Sequence, residues 1–209
     1  MPASLPSPIS PEVLTRGVAL LKSGSPVAFP TDTIYALGVS VNDAVGVSRV
    51  FEIKQRPFSQ ALPVLLADSA EIGMVAREVP DIAVELMRSF WPGALTLVFK
   101  KTAAVSDIVT AGGDTVAVRV AAHPVAIEMV RRAEVPLVGT SANIHGRPNP
   151  LTALEVFDQI GAHVELIIDA GRLLGGVEST ILDVSSDKIR IIRQGALARA
   201  ELEKFCRIE

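Results

Sequence analysis

A single cysteine, Cys206, stands in 209 residues. It excludes a disulfide framework and any thiolate metal cluster within one chain, and so close to the end of the sequence it reads as a bystander. No apolar run approaches the roughly 20 residues needed to span a bilayer, so no membrane role is expected. The opening "MPASLPSPISP" has neither the basic start nor the apolar middle of a secretory signal. The cytoplasm is the expected compartment. The common nucleotide fingerprints are missing too, with no G-x-x-x-x-G-K-[ST] loop and no G-x-G-x-x-G. His123, His145 and His163 lie far apart without partners at metal-ligand spacing, so no protein-held metal is expected. "GTSANI" is not a nucleophile elbow, because Asn143 takes the place of the second glycine. Charge is modest as well, at 21% of residues with a net of −3 and a pI near 5.7. Proteins held to nucleic acid by bulk electrostatics are commonly more basic.

What is present reads as a folded α/β chain. Hydrophobic residues make up 49% of it, enough for a sizeable core and against disorder. "SPEVLTRGVALLKSG" predicts a first helix, which Ser10 caps, Pro11 opens and Gly24 ends. "PVAFP" follows as a short buried strand. In "NDAVGVSRVFEIK" Asn42 is the expected cap, and Val47, Val50 and Phe51 have helical spacing. "LPVLLA" predicts a strand, and Asp68 to Glu71 a capping box for the next helix. A helix near Ile82 to Phe90 precedes the strand "ALTLVFK". The strand "TVAVRV", the helix "HPVAIEMVRRA" and the strand "PLVGT" come next. Thr152 and Glu155 predict a second capping box, for a helix near 152–160. "VELIID" is a strand, "GRLLGG" a loop, and "STILDV" with "KIRIIR" a hairpin. Early strands alternate with helices and the last two are consecutive. This predicts a single α/β domain with a twisted mixed sheet, largely parallel, and flanking helices. The domain is expected over 10–200, with 1–9 as a flexible tail.

Polar side chains gather where these strands end. The stretch "VPLVGTSANIHGRP", 135–148, carries an apolar run abruptly into Thr140, Ser141 and Asn143. Ligands of open α/β sheets sit outside the carboxyl ends of strands, so this is either a site rim or an ordinary turn. "PTDTIYALG" follows the strand ending at Phe29. "KQRP" ends a helix, where Lys54 and Arg56 also suit the macrodipole. Arg119 interrupts "TVAVRV" and Arg193 closes "KIRIIR"; taken singly, each reads as a solvated strand residue. Taken together, a lysine and several arginines beside Thr, Ser and Asn suit a triphosphate and a carboxylate.

In order, "PTDTIYALG", "KQRP", "FWPGALTLVF", "VAVRVAAHP", "PLVGTSAN", "STILDV" and "IIRQGAL" resemble the YrdC-type domain family over about residues 10–198. The threonylcarbamoyl-adenylate synthases, in their short single-domain form, are its nearest members. The K-x-R signature appears as Lys54 and Arg56, and S-x-N as Ser141 and Asn143. The resemblance implies a concave basic cavity that turns L-threonine, bicarbonate and ATP into L-threonylcarbamoyladenylate and diphosphate. It implies Mg²⁺ brought with ATP. It also implies a downstream tRNA threonylcarbamoyl transferase complex that completes N6-threonylcarbamoyladenosine at position 37 of tRNA, with weak tRNA binding at most. On the family pattern, Lys54 and Arg56 are the catalytic pair that neutralises phosphate charge. Lys54, Thr115, Ser141, Asn143 and Arg193 would bind ATP. Thr31, Arg119, Thr140 and Ser179 would bind threonine, Arg119 as a bidentate clamp on its carboxylate. Lys54, read as an exposed charge, is expected to contribute little to stability.

One departure concerns the threonine pocket. Members often read P-L-[IV]-V-H after K-x-R, whereas Ala61 stands here at the proline and Leu65 at the histidine. Three other functions compete. An RNA-binding module of the same fold would bind tRNA or double-stranded RNA with a steep salt dependence and turn over no ATP. Carbamoyl-adenylate chemistry in hydrogenase maturation comes with cysteine-rich zinc modules that one cysteine cannot supply. A paralogue without this activity is disfavoured by the intact signatures.

Overall fold

The computed structural model describes residues 5–209. Chain order begins with β1 (Ser7–Pro8), α1 (Pro11–Lys22), β2 (Val27–Pro30), β3 (Tyr35–Ser40), α2 (Ala44–Lys54) and β4 (Val64–Leu65). A 3-10 segment at Ser69–Met74 leads to α3 (Asp81–Phe90), β5 (Leu95–Lys100), α4 (Asp107–Thr110), β6 (Thr115–Arg119) and α5 (Pro124–Ala133). Then come β7 (Leu137–Ser141), α6 (Ala153–Ile160), β8 (Ile168–Asp169), β9 (Thr180–Asp183), β10 (Arg190–Arg193) and α7 (Arg199–Leu202).

Local chemistry sets most of these boundaries. The Val13 N–H donates to the Ser10 hydroxyl at 3.2 Å, and Gly24 leaves α1 with φ +77°. Asp43, not the expected Asn42, caps α2. Its carboxylate accepts from the Gly46 N–H at 2.8 Å and adds a negative charge favoured at a helix N-terminus. Asp68 caps only the 3-10 segment, where an α-helix was expected, and Glu71 reaches back to the Ala67 N–H rather than to the cap. The box at Thr152 and Glu155 forms in both directions. Of the expected tail, residues 1–4 lie outside the described residues. Its later part is ordered: Ser7–Pro8 pairs in parallel with Ile168–Asp169, the Ser7 N–H donating to the Ile167 carbonyl at 2.9 Å. Packing also continues past residue 200, since Leu202 and Ile208 are buried in the main core.

Eight strands form one sheet in the order β10-β9-β5-β6-β4-β7-β3-β2. It is mixed, as expected. β5 with β9 and β4 with β6 run parallel, and the other five neighbouring pairs run antiparallel. The parallel share is smaller than the alternation of strands and helices suggested, for two reasons. The helix α5 joins β6 to β7, but β4 lies between them. And "YALGVS", to which the sequence pattern gives no element, forms β3 and returns beside β2 as an antiparallel partner.

Alternate side chains divide the two faces of the sheet. Val64, Leu97, Phe99, Val118 and Val138 enter the larger core with Phe51, Leu86 and Val156 from α2, α3 and α6. On the opposite face α1 and α5 bring Leu21 and Met129 against Val27, Phe29 and Leu137. Toward β6, β5, β9 and β10 that same face lines a cavity.

Candidate active site

Thr96 and Val98 of β5, Thr115, Ala117 and Arg119 of β6, and Gly139 and Ser141 of β7 are alternate residues of their strands. One face of the sheet is therefore the floor of a cavity of about 310 Å³, a size suited to a small-molecule ligand. Small side chains on the floor leave this space open. A Cβ on Gly139 would fall 2.4 Å from Leu65 Cδ1, so the leucine side chain lies directly against that glycine. Leu65 lines the cavity.

A bulge aims Arg193 into this space. Ile191 pairs with Leu182 and Arg193 with Ile181, which leaves Ile192 as the extra residue. Such an insertion re-aims the side chains beyond it, and here it puts Arg193 on the face of Ile181, another lining residue. Arg193 Nη1 donates to Glu178 Oε2 at 2.6 Å and Nη2 to the Ser179 carbonyl at 2.9 Å. Its Nε is buried and has no hydrogen-bond partner among the described residues. A buried donor without an acceptor is costly, and a ligand oxygen would relieve it.

The turn between β2 and β3 builds a second polar group. The Thr31 hydroxyl donates to the Ile34 carbonyl at 2.6 Å and accepts from the Thr33 and Ile34 N–H groups. Thr33 Oγ1 accepts from Arg119 Nη1 at 3.0 Å, and Asp32 Oδ1 from Arg119 Nη2 at 2.7 Å. Arg119 Nε donates to the Gly93 carbonyl at 2.8 Å. Three of the five guanidinium N–H groups are thus engaged within the protein, and the expected open fork is reduced to one N–H on each terminal nitrogen without a partner among the described residues. Thr96 Oγ1 and Ser179 Oγ share a buried hydrogen bond of 2.7 Å at the cavity wall.

Lys54 and Asn143 are placed differently from expectation. The lysine is 1% exposed, and neither residue is among those that line the cavity. Lys54 Nζ donates to the Ser141 carbonyl, to Ser141 Oγ at 3.3 Å, and to Asn143 O and Oδ1 at 2.9 Å each. The Asn143 amide donates in turn to the Arg147 carbonyl at 2.6 Å. Lys54 and Asn143 therefore hold the end of β7, whose Thr140 and Ser141 both line the cavity. The expectation that Lys54 is an exposed charge is corrected: it ends α2 on the helix's buried face and meets partners far along the chain. Arg56, two residues on, does line the cavity and braces its own loop by donating to the Gln60 and Ala61 carbonyls.

These cations act on one another. Burial, then Arg56, pushes the Lys54 ammonium down to about 7. Burial lowers Arg56 first; Glu178 opposes this and Arg193 adds to it. Burial likewise lowers Arg119, offset mainly by Asp32, with Arg193 again depressing it. Such mutual repulsion marks a site that gains from an incoming anion. Thr31, Arg56, Thr115, Arg119, Thr140, Ser141, Ser179 and Arg193 all line this one cavity. The sequence reading missed Thr33, Thr96 and Glu178, which also line the cavity, and Asp32, which braces Arg119. Asp32 and Thr33 sat inside the quoted "PTDT", and Glu178 immediately before "STILDV". Thr96 was a lone hydroxyl in an apolar strand and gave no signal.

Comparison with known proteins bears on this arrangement. The Sua5/YciO/YrdC family model, which carries the description "Telomere recombination", matches residues 19–195. A threonylcarbamoyl-AMP synthase of Pyrococcus abyssi (strain GE5 / Orsay) is 40% identical over 184 residues, 88% of this chain and 54% of that protein. One of Bacillus subtilis (strain 168) is 37% identical over 191 residues, 91% of this chain and 55% of that protein. The chain thus spans about half the length of these relatives. The crystal structure of P. abyssi Sua5 complexed with L-threonine superposes with a TM-score of 0.93 at 36% identity, covering 100% of this chain and 62% of that one. With the family match running from within α1 to just past β10, the chain belongs to the Sua5/YciO/YrdC family.

Proposed function

We propose that this chain makes L-threonylcarbamoyladenylate and diphosphate from L-threonine, bicarbonate and ATP. The observation that carries the reading is one concave sheet face with guanidiniums on β6 and β10. Those strands are three places apart in the sheet, about 14 Å at the usual strand spacing. Arg119 is matched to the threonine carboxylate through its two free N–H groups, with Thr31, Thr140 and Ser179 around the amino acid. Arg56 and Arg193 are matched to phosphate, the unpartnered Nε of Arg193 included. Ser141 and Thr115 supply neutral hydrogen bonds to the nucleotide, and Lys54, itself held by Asn143, fixes Ser141. The threonine amine forms a bond to the carbon of bicarbonate as a C–O bond breaks, giving N-carboxy-threonine and water. Its carboxylate oxygen bonds to the α-phosphorus as the bond to the bridging oxygen breaks and diphosphate leaves. Positioning and charge neutralisation are what the protein supplies to such a transfer. Mg²⁺ would enter with ATP. In this reading the product goes to a separate transferase complex that modifies adenosine 37 of tRNA in the cytoplasm.

The test is direct: purified protein with ATP, Mg²⁺, bicarbonate and L-threonine, assayed for diphosphate and the adenylate. Diphosphate release is expected to need both threonine and bicarbonate. Equal release with either left out would sink the proposed reaction. Tight, salt-sensitive tRNA binding with no turnover would support the RNA-binding module instead.

A further inference from the structure

We propose that Asp32 is a positioning residue that sets the guanidinium of Arg119 for the amino-acid carboxylate before any ligand arrives. This rests on the threonine end of the reaction proposed above. Arg119 is 7% exposed, and its three committed N–H groups reach three acceptors: Gly93 O, Thr33 Oγ1 and Asp32 Oδ1. Two of these belong to the β2–β3 turn and one to the segment before β5, so the plane of the guanidinium is fixed from both sides. Asp32 is the one ionic partner among them, at 2.7 Å. It is not itself among the residues that line the cavity. Asp32 is held in turn, since the same oxygen accepts from the Ala122 N–H at 2.9 Å. Strand β6 and the chain just after it thus meet the β2–β3 turn at one carboxylate oxygen.

The physical need is clear. A guanidinium this deeply buried is expensive to leave unpaired, and an unbraced one would swing toward any acceptor. With Asp32 in place, the empty site already holds a compensated charge, and the unused donor on each terminal nitrogen matches the two oxygens of a carboxylate. Ordering is then complete before binding, which is where preorganisation raises affinity.

The test compares Asp32→Ala with Asp32→Asn, since asparagine keeps an acceptor oxygen in the same place. Threonine and ATP binding to the full chain are measured separately by titration calorimetry. Asp32→Ala is expected to weaken threonine binding at least tenfold and leave ATP binding within about twofold, as for lost bracing of a site residue. Asp32→Asn is expected to restore threonine binding to within about threefold. Threonine affinity unchanged in Asp32→Ala, or equal loss of both ligands, would overturn the assignment. If Asp32→Ala does not fold, Asp32→Ser, too short to reach Arg119, stands in its place. A ligand-free readout separates this proposal from the reaction itself. Nitrogen-15 spectra of the arginine side chains should show distinct, slowly exchanging Arg119 terminal nitrogens, merged in Asp32→Ala. A wild-type protein that binds no threonine yet shows that difference would refute the reaction and leave Asp32 as the brace. Resolved signals persisting in Asp32→Ala would refute the brace.

Discussion

The ammonium of Lys54 lies almost wholly out of water, and its hydrogen-bond partners among the described residues belong to Ser141 and Asn143. Removing it would leave a void and strip a partner from two backbone carbonyls and the Asn143 side chain. Lys54→Ala is therefore expected to cost about 2–4 kcal/mol of stability, well above the roughly 1 kcal/mol limit of an exposed charge. Urea unfolding would measure it, and a loss under about 0.5 kcal/mol would mean the lysine is not an anchor. Turnover in the folded fraction should also fall, by about 10²-fold, because the end of β7 would no longer be fixed. Residue types alone marked Lys54 only as a basic helix end, since its partners lie 87 and 89 positions away. The family pattern supplied its membership of the site, and the structure changed its place there. Arg119 shows the same limit: its charge was plain in "TVAVRV", but its three acceptors come from two distant segments.

Elements were most legible where a side chain caps them. Ser10, Thr152 and Glu155 sat at the expected boundaries because capping needs only neighbours three residues away. Strand β3 escaped because all six of its residues are buried, so no polar alternation marks it. The bulge at Ile192 was invisible too, since it depends on the register against β9. A cap that titrates gives a test at this scale. The Val125 N–H donates to Nδ1 of His123 at the start of α5, which requires that nitrogen to be unprotonated. Burial lowers the His123 pKa from 6.5, with Asp32 pulling the other way. The unfolded chain thus takes up the proton first as pH falls. The contribution of His123 is full above pH 6.5 and declines as pH drops through 6.5 toward the lower folded value. His123→Asn caps without titrating there, so its stability should vary less between pH 7 and 5, by up to about 1 kcal/mol. Parallel unfolding curves for the two proteins across that range would show that the cap does not titrate.

At the scale of the whole molecule, one sheet serves two solvents. Its inner face is packed dry against α2, α3 and α6, while the other face opens from under α1 and α5 into the cavity. Composition and alternation gave the α/β class, but strand order follows from contacts that no local pattern records. That order has a consequence for the growing chain. A ribosome delivers β2, β3 and β4 early, yet β3 needs β7 as its second neighbour and β4 lies between β6 and β7. Until Ser141 has emerged, the edges of β3 and β4 that face β7 have no partner, although β2 can already pair with β3 and β6 with β4. Pairings of this range are slow to form and exposed to aggregation meanwhile. In refolding followed by pulsed hydrogen exchange, the β3 amides that bond to β7 should gain protection only together with those of β7. Their protection ahead of β7 would show that the hairpin of β2 and β3 recruits some other, transient partner. When β3 waits for β7 instead, the cavity is late to form, because it needs β7 between β3 and β4 and then Ser179 and Arg193, which the chain delivers after Ser141.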